Sequence, residues 1–567
     1  MNGRGGRLSL YLDAARGMRA RQIAWRARRL VPPRLLAAGT VSRTPPHWRP
    51  DAAGIGIDRA PQGGPAPPPD SSGEFTAVGV SRRFGSPDFW TDRSDGQLFL
   101  FHLHGFSPLA SYAAGPRSAA GNRFWARVVE GWLSLESSPR LPSWHPHPTS
   151  IRVISWASAL SSIREWPESL RSRLSAELWR QARYMRRSIE HDIGGNHVVK
   201  NATALVAAGT VFQRSGLLDS GLGVLRGELS QQILGDGGHE ERSTSYHRQV
   251  RRDLDDVAEL VRRARHSVPP WLDDAITRAA SWEAEMTGPD GALPLLNDAW
   301  DGPADGTPRS EPVTRLSDSG YVVLRDRGDQ AIFDVGPICP PHLPPHAHAD
   351  VLSFVLWCDE RPLVVDPGSY AYTGQWRDRF RGTVAHNTVE LDGCDQCHFW
   401  GDFRAAHLPR VRAQPLRRHG DVVIAGASHD GYRRLADPVT HDRALVWLPG
   451  DGLVVIDLLR CREPHRIRSS LHLAPGAALD GAHRVGPYMV NALGLGPVVR
   501  PRDGQCAPYL GTRVRSAVLE DSRAVGPETP FGWSLLRGDA AVSALARDRL
   551  TITRGDGSSI DVPLVWS

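Results

Sequence analysis

Residues 301–312, DGPADGTPRSEP, separate two parts of the chain whose hydrophobic patterns differ. Before this loop, apolar residues recur at spacings of three and four, as in Leu170–Ile189 and Leu254–Arg265, and this spacing predicts amphipathic helices. After it, short apolar runs alternate with turn residues, which predicts β-strands. The change of period at one loop therefore indicates a helical half followed by a β half.

Many consecutive helices predict a bundle, solenoid or toroid, and a dense series of short strands predicts an antiparallel sandwich. Residues 51–73, rich in Pro and Gly, indicate a linker. We therefore expect a basic helical segment and linker over 1–73, helices over 74–308 and a sandwich over 309–567. The predicted strands are Gly320–Leu324, Ala331–Val335, Leu352–Trp357, Leu363–Val365, Thr388–Leu391, Val422–Ala425, Ala444–Leu448, Leu453–Leu458 and Leu550–Thr553.

Composition excludes several classes of protein. The 567 residues are 40% hydrophobic and 23% charged, which is ordinary for a globular chain and not for a disordered or fibrous one. Six cysteines are too few for a disulfide scaffold. The 68 basic residues exceed the 62 acidic ones by 68 − 62 = 6. All the basic residues but Lys200 are arginine, whose guanidinium can bind a carboxylate or sulfate through two parallel hydrogen bonds. No nucleic-acid motif accompanies this charge, so nucleic acid is not an expected partner.

The first thirty residues contain no apolar stretch of signal-peptide length, because Asp13 ends the short run Leu8–Leu12. No segment reaches the roughly 18 apolar residues of a membrane span. By default this pattern predicts a cytoplasmic protein without a transmembrane segment. The basic start of the chain could be a helix on a membrane surface, but a helix packed on the main body is the favoured interpretation.

The first candidate site segment is GGNHVVKN, residues 194–201, at the start of an apparent helix. Two glycines allow a tight backbone approach, and Asn196 and His197 would project from the helix start. An amide can donate to a substrate carboxylate, and an imidazole can take a proton near neutral pH. An Asn helix cap beside a packed His is the structural alternative.

The second segment is DGGHEERSTSYH, residues 236–247, which lies between helices and is too polar to be core filler. It contains Glu240, Glu241, Arg242, Tyr246 and His247. A tyrosine beside Arg or His⁺ can serve as an acid or a base. A solvated polar loop is the structural alternative.

The third segment is PPHAHAD, residues 344–350, followed by an apolar run ending at Asp366 and by His386. His346 and His348 are two residues apart, so a strand would direct both to one face. Histidine nitrogens and a carboxylate on adjacent strands can form a zinc site. Buried histidines satisfied by backbone groups are the structural alternative, and Cys394 and Cys397 alone do not make a thiolate site.

Taken in order, these blocks resemble the heparinase II/III-like family of polysaccharide lyases, including alginate-lyase-like members. The resemblance extends from about residue 95 and also includes LFLFHLHGF at 98–106, WHPHPT at 144–149 and RGTVAHNTVELDGCDQ at 381–396. It implies an (α/α) toroid followed by an antiparallel β-sandwich, with the active site between them. It also implies an enzyme that cleaves uronic-acid polysaccharides by β-elimination, with an acidic polysaccharide or oligosaccharide as its binding partner.

The resemblance assigns roles to residues of this chain. Asn196 would hydrogen-bond the uronate carboxylate, His197 or Tyr246 would take the C5 proton, Tyr246 would protonate O4, and His346 would line the cleft. The resemblance also implies a structural Zn²⁺ bound by His348, Asp366 and His386. Substrate would be bound by Glu241, Arg242, Arg381 and Asn387.

Several alternatives stay open at this point. A uronate C5-epimerase would share the proton abstraction, and a glycoside hydrolase would need two facing carboxylates. A non-catalytic glycan-binding or exopolysaccharide assembly protein could retain the fold without turnover. Family members are typically exported to the periplasm or secreted, which contrasts with the absence of a clear signal here. The polymer, the endo or exo mode and the oligomeric state are not predicted from the sequence.

Overall fold

The computed structural model describes residues 4–28, 73–86, 88–135, 142–481, 484–494 and 499–566. The predicted Pro/Gly-rich linker lies outside these residues except at Gly73. The N-terminal segment forms two short helices, and a β-hairpin rather than a helix opens the part that follows. These elements are α1 (Arg4–Gly17), α2 (Ala20–Arg28), β1 (Glu74–Ala77) and β2 (Val80–Arg83).

The predicted helical half is present as a series of helices around one apolar core. The amphipathic pattern of Leu254–Arg265 continues toward the N-terminus into a helix that begins at Thr244. The helices are α3 (Gly96–Gly105), α4 (Ser107–Ala114), α5 (Ala119–Leu133), α6 (Pro146–Ser162), α7 (Glu168–Met185), α8 (Gly195–Val211), α9 (Ser215–Gln232), α10 (Thr244–Arg263) and α11 (Pro270–Met286).

Helix α8 lies at the centre of this half, against α6, α7, α9 and α10. Nearly all of its residues are buried, because small side chains such as Ala204, Ala207 and Gly209 let its neighbours approach on every side. The helix start is therefore held in a fixed place, which matters for the side chains that project from it.

The predicted β half consists of antiparallel sheets, and every predicted strand has a counterpart in the structure. The first sheet has the order β3-β4-β5-β6-β7, with β3 (Val313–Leu316), β4 (Tyr321–Asp326), β5 (Asp329–Asp334), β6 (Phe354–Cys358) and β7 (Arg361–Val364). Helix α12 (Gly374–Arg381) follows it.

The remaining strands form a large sheet, a four-stranded sheet, a three-stranded sheet and a short hairpin. They are β8 (Val389–Leu391), β9 (His398–Gly401), β10 (Arg404–Ala406), β11 (Val411–Ala413), β12 (Arg417–His419), β13 (Val422–His429), β14 (Thr440–Leu448), β15 (Gly452–Arg460), β16 (His465–His472), β17 (Leu479–Asp480), β18 (Arg484–Val485), β19 (Tyr488–Leu493), β20 (Val499–Tyr509), β21 (Thr512–Val525), β22 (Phe531–Arg537), β23 (Ala541–Leu545), β24 (Arg549–Thr553) and β25 (Ser559–Pro563).

The large sheet, β11-β13-β14-β15-β22-β19-β18-β17 with β12 beside β13, is the middle layer of the sandwich. Alternate side chains of its strands face opposite ways: Trp447 and Val455 pack toward the first sheet, while Val446 and Ile456 pack toward β23-β24-β25. The four-stranded sheet has the order β20-β21-β16-β8.

The two halves meet through an apolar junction. Trp282 and Met286, at the end of α11, pack against Tyr321, Val323 and Ile332 on the outer face of the first sheet. This contact fixes the helical half relative to the sandwich, so loops from both can form one site. Within the described residues, no helix is both long and apolar enough to cross a membrane.

Candidate functional site

The start of α8 is shaped by two glycines that the sequence singled out. Gly194 and Gly195 have φ of 86° and 58°, a region that favours glycine. A Cβ on Gly195 would overlap the Glu241 carboxylate. The backbone can therefore bring Asn196 directly against Glu241, as the predicted tight approach requires.

Asn196 and Glu241 form a buried pair. The backbone N–H of Asn196 donates to Glu241 Oε1 at 2.8 Å, and its amide Nδ2 donates to Oε1 and Oε2 at 3.1 and 2.8 Å. Burial raises the pKa of Glu241, but His346, His239 and the Asn196 donors outweigh it and lower the pKa overall. Glu241 is thus an ionised carboxylate that holds Asn196 in place.

The polar segment 236–247 is not a solvated loop. Residues 239–248 are all buried, and their polar side chains bond to neighbouring segments. Ser243 caps α10, since its Oγ accepts from the Tyr246 N–H at 3.2 Å and donates to the Asp298 carbonyl at 2.6 Å. Ser245 Oγ donates to the Trp300 carbonyl at 2.8 Å. These bonds fix Tyr246 in the first turn of the helix.

Tyr246 lies where the two halves meet. Its hydroxyl is 2.8 Å from the hydroxyl of Tyr372, which comes from the sandwich half. Its ring lies 4.0 Å from that of His346 and 5.3 Å, edge on, from that of Trp300. Burial raises the pKa of Tyr372 well above its ordinary value, so Tyr372 keeps its proton and can donate to Tyr246.

Asp298 connects His346 and His348. Its Oδ2 is 2.9 Å from His346 Nδ1, and its Oδ1 is 3.0 Å from His348 Nε2. Arg377 also pairs with Asp298, and Ser369 Oγ donates to it at 2.7 Å. Burial raises the pKa of Asp298, but Arg377 and the two histidines lower it well below its ordinary value. The carboxylate therefore orients both rings.

His346 and His348 do not lie on a strand, the setting in which their spacing would direct both side chains to one face. Residues 341–350 are irregular, and the two rings converge because both bind Asp298 and not because of a strand period. Sequence reasoning also missed Asp298 and Tyr372. Neither is part of a motif that the sequence singled out, although Tyr372 lies only six residues after Asp366.

His197 projects into a group on the toroid side. Its Nδ1 is 3.2 Å from Glu190 Oε1, and its ring stacks on that of His147 at 4.2 Å. Burial raises the pKa of Glu190, but His197 and neighbouring histidines lower it well below its ordinary value. Glu190 also accepts from Asn201 Nδ2 at 3.1 Å, and the His197 side chain stays 23% exposed. Glu190, another residue missed in the sequence, thus orients His197.

The predicted metal residues are brought together. Ligand atoms of His348, Asp366 and His386 lie within 4.8 Å of one another, and all three residues are buried. Among the described residues, His348 Nδ1 and His386 Nε2 find no hydrogen-bond partner. Two buried imidazole nitrogens without a partner and a carboxylate are a donor set that suits Zn²⁺, so the residues fit the implied ion.

Three of the predicted substrate-binding residues are engaged inside the protein. Arg242 binds the carbonyls of Ser319 and Asp318. Arg381 donates to the carbonyls of Gly401 and Asp402 at 3.0 and 2.8 Å. Asn387 donates to Phe354 and Val365 carbonyls at 2.8 and 2.9 Å. These bonds give Arg242, Arg381 and Asn387 a positioning role, and their contact with substrate stays a prediction.

Two family models match adjoining parts of the chain. "Heparinase II/III N-terminus" matches residues 122–310, and "Heparinase II/III-like, C-terminal" matches residues 308–542. The chain belongs to the heparinase II/III-like family. This confirms the resemblance, and the boundary between the two matches falls in the same loop at which the hydrophobic pattern changes.

Solved structures of the heparinase II/III type share the fold. "Crystal Structure of Heparinase III" superposes with a TM-score of 0.68 at 17% identity, covering 94% of this chain and 95% of that one. "Heparinase III-BT4657 gene product" gives 0.63 at 15% identity, covering 84% and 86%. A toroid followed by antiparallel sheets is therefore confirmed, and the chain has a polysaccharide-lyase fold.

Sequence relatives carry two kinds of name. "FtsZ-localized protein C" of Caulobacter vibrioides is 28% identical over 83% of this chain and 79% of its own length. "Heparin-sulfate lyase" of Bacteroides thetaiotaomicron is 26% identical over 63% of this chain and 58% of its own length. The chain thus spans little more than half of that lyase.

Proposed function

We propose that this protein is a polysaccharide lyase that cleaves a uronic-acid-containing polysaccharide by β-elimination. The observation that carries the proposal is the Tyr246 hydroxyl, 2.8 Å from the Tyr372 hydroxyl and beside the His346 ring, at the junction of the two halves. A glycan-binding module has no need of a phenol positioned in this way for proton transfer.

In this mechanism Tyr246, as phenolate, takes the C5 proton of the uronate and then returns a proton to O4 as that bond breaks. The product carries a C4–C5 double bond conjugated with the carboxylate. Tyr372 supports the phenolate because it keeps its own proton and donates to the Tyr246 oxygen. The contacts of Tyr246 favour it over His197 as the base, since those of His197 are with Glu190 and His147.

The uronate carboxylate must be neutralised before C5 can lose its proton, and Asn196 is the proposed donor. Its NH₂ group donates to Oε1 and Oε2 of Glu241 at 3.1 and 2.8 Å, and the shorter bond, made by one of its two N–H groups, would by itself hold the amide in place. The second would then serve the substrate. A donor held in place by Glu241 before substrate arrives needs no reorganisation during the reaction, which is the usual source of such stabilisation.

His346 completes the proposed site. Asp298 holds Nδ1 of its ring, and Nε2 is 3.8 Å from Glu241 Oε2. The ring packs on Tyr246, so it fixes the position of the phenol and borders the place where the sugar would lie.

The proposed substrate is an anionic polymer of the heparan sulfate type, or another polymer of uronates. The name of the Bacteroides relative and the arginine excess of this chain, 68 basic residues with a single lysine, support an acidic partner.

We also propose that His348, Asp366 and His386 hold a structural Zn²⁺. When bound, the ion would stabilise the loops that carry His346 and Asp366. We expect Asp366→Ala to lose bound zinc, measured by elemental analysis, and to lower the melting temperature. Asp457→Ala, which alters a buried carboxylate elsewhere in the sandwich, is the matched control and should keep its zinc. Equal zinc content in both variants would contradict the assignment.

The proposed activity is tested with a panel of heparan sulfate, chondroitin sulfate and alginate. A conjugated unsaturated uronate absorbs in the ultraviolet, so absorbance should rise with the wild type and not with Tyr246→Phe. A flat trace with solvent deuterium at C5 would instead identify an epimerase. Binding without either signal, by both proteins, would identify a non-catalytic glycan-binding protein.

A further inference from the structure

The two N-terminal helices, residues 4–28, lie across the junction of toroid and sandwich, and we call them the N-terminal strap. On the toroid side, the guanidinium of Arg19 lies 3.2 Å from the Glu240 carboxylate, and that of Arg21 lies 2.7 Å from Glu228. Both acidic side chains are almost fully buried, so these ion pairs attach the strap to the toroid at positions shielded from solvent.

The strap also contacts the sandwich half. Gly17 packs so closely that a Cβ there would overlap the carbonyl oxygen of Pro341. The Tyr11 ring meets that of Trp400 edge on at 4.8 Å, and the Arg404 guanidinium lies 5.9 Å from the centre of the Tyr11 ring. The strap is thus attached to both halves rather than to one.

Gln22 joins the two halves by itself. The Nε2 nitrogen of its buried side-chain amide donates to the Ile193 carbonyl on the toroid at 3.3 Å and to the His342 carbonyl on the sandwich at 3.1 Å. Its Oε1 accepts from the Arg19 N–H at 2.9 Å, which fixes the orientation of the amide. One N–H is therefore available for each side.

The residues that the strap contacts are close in sequence to Asn196, Glu241 and His346, three residues of the proposed catalytic site. Ile193 precedes Asn196 by three residues, Glu240 is next to Glu241, and His342 precedes His346 by four. His342 Nε2 is also 3.5 Å from Glu240 Oε2, so the two walls approach each other under the strap. The strap therefore lies directly beside the segments that carry Asn196, Glu241 and His346.

We propose that the strap closes one end of the cleft and makes the enzyme act on chain ends, with Gln22 and Arg19 as residues that determine this exo mode. The proposal rests on the proposed lyase function. An open cleft admits the middle of a polymer, whereas a cleft closed at one side accepts only a terminus and releases short products.

The test compares wild type with Arg19→Ala/Gln22→Ala and with Gly17→Val, which displaces the strap without removing charge. Arg26→Ala is the matched control, because Arg26 is exposed and its side chain donates to Met18 within the strap. Heparan sulfate, or the panel polymer that gives absorbance, is digested to equal absorbance, and the mean polymer mass is measured by size-exclusion chromatography. Wild type and Arg26→Ala should leave the mass high, while both strap variants should lower it steeply.

A binding measurement separates this proposal from the lyase function. In a Tyr246→Phe background, the strap variants should bind the polymer about ten-fold more tightly, from one or two added hydrogen bonds, with tetrasaccharide affinity unchanged. Wild type that cuts the polymer internally would overturn the strap proposal and leave the lyase intact. Absence of turnover would overturn the lyase function. The ratio of polymer affinities with and without the strap substitutions would then show whether the strap closes the cleft. Equal polymer binding, or no binding, by all variants would overturn the strap.

Discussion

Among the groups that place histidine beside a carboxylate, one in the cleft and one in the sandwich differ in how their polar atoms are used. The cleft group consists of Asn196, Glu241, Tyr246, Asp298 and His346. The sandwich group consists of His429, His441, Arg443 and Asp457.

In the sandwich group, His441 Nε2 lies 2.7 Å from Asp457 Oδ1, and Arg443 binds both oxygens of Asp457 at 2.7 and 3.0 Å. His441 Nδ1 lies 3.1 Å from His429 Nε2. The residues face one another on adjacent strands, with His429 opposite His441 and Arg443 opposite Asp457. All four are buried, so the group ties the sheet together.

The cleft group comes from separate segments of both halves, and His346 keeps 12% of its side chain exposed. Asn196 Oδ1 is buried without a hydrogen-bond partner among the described residues. A histidine–carboxylate pair therefore does not by itself indicate catalysis. Access to the cleft and polar atoms left unused distinguish a site for chemistry from a structural network.

The largest expected difference between the cleft and the sandwich is in kcat. Tyr246→Phe removes the proton-transfer group, so kcat should fall about 100- to 10,000-fold with polymer affinity largely kept. The matched change Tyr432→Phe removes a buried sandwich hydroxyl, which donates to the Val389 carbonyl at 2.7 Å. It should leave kcat intact and lower stability by about 1 kcal/mol. Similar kcat losses in both variants would refute the distinction.

The next effect should appear in stability rather than turnover. Asp457→Ala leaves the buried Arg443 cation without its carboxylate, and loss of one member of such an ion pair costs about 3–5 kcal/mol. Chemical denaturation should show this loss, while kcat per folded molecule stays near the wild-type value. A selective loss of kcat without destabilisation would give the sandwich group a role in catalysis.

The smallest expected effect is on how the free energy of unfolding depends on pH. Glu190 has a folded-state pKa well below its ordinary value of 4.5, so it contributes stability that is present above about pH 4.5 and is lost as the pH falls toward the folded-state pKa. Unfolding free energies between pH 7 and 3.5 should therefore fall less steeply below that point in Glu190→Gln than in wild type. Parallel curves of unfolding free energy against pH would show that the contact between Glu190 and His197 does not stabilise the fold.

The sequence predicted much of the architecture because burial patterns repeat along each element. The strands Val422–Ala425, Ala444–Leu448 and Leu453–Leu458 are apolar runs, and each was found within a longer strand. Strands β16, β20 and β21 were missed. Charged residues interrupt their apolar runs, as Arg513, Arg515 and Arg523 do in β21.

Local sequence also indicated Asn196, Tyr246 and the histidines, since glycines, polar runs and spaced histidines are visible without a structure. The charge of the chain and its arginine content likewise followed from composition alone. Only the tertiary structure decided that Asp298 belongs to the cleft group, that Tyr372 contacts Tyr246, that Glu190 holds His197 and that the strap covers the junction. The reason is physical: these roles depend on contacts between segments as far apart as Gln22 and His342, and no local period encodes such an approach.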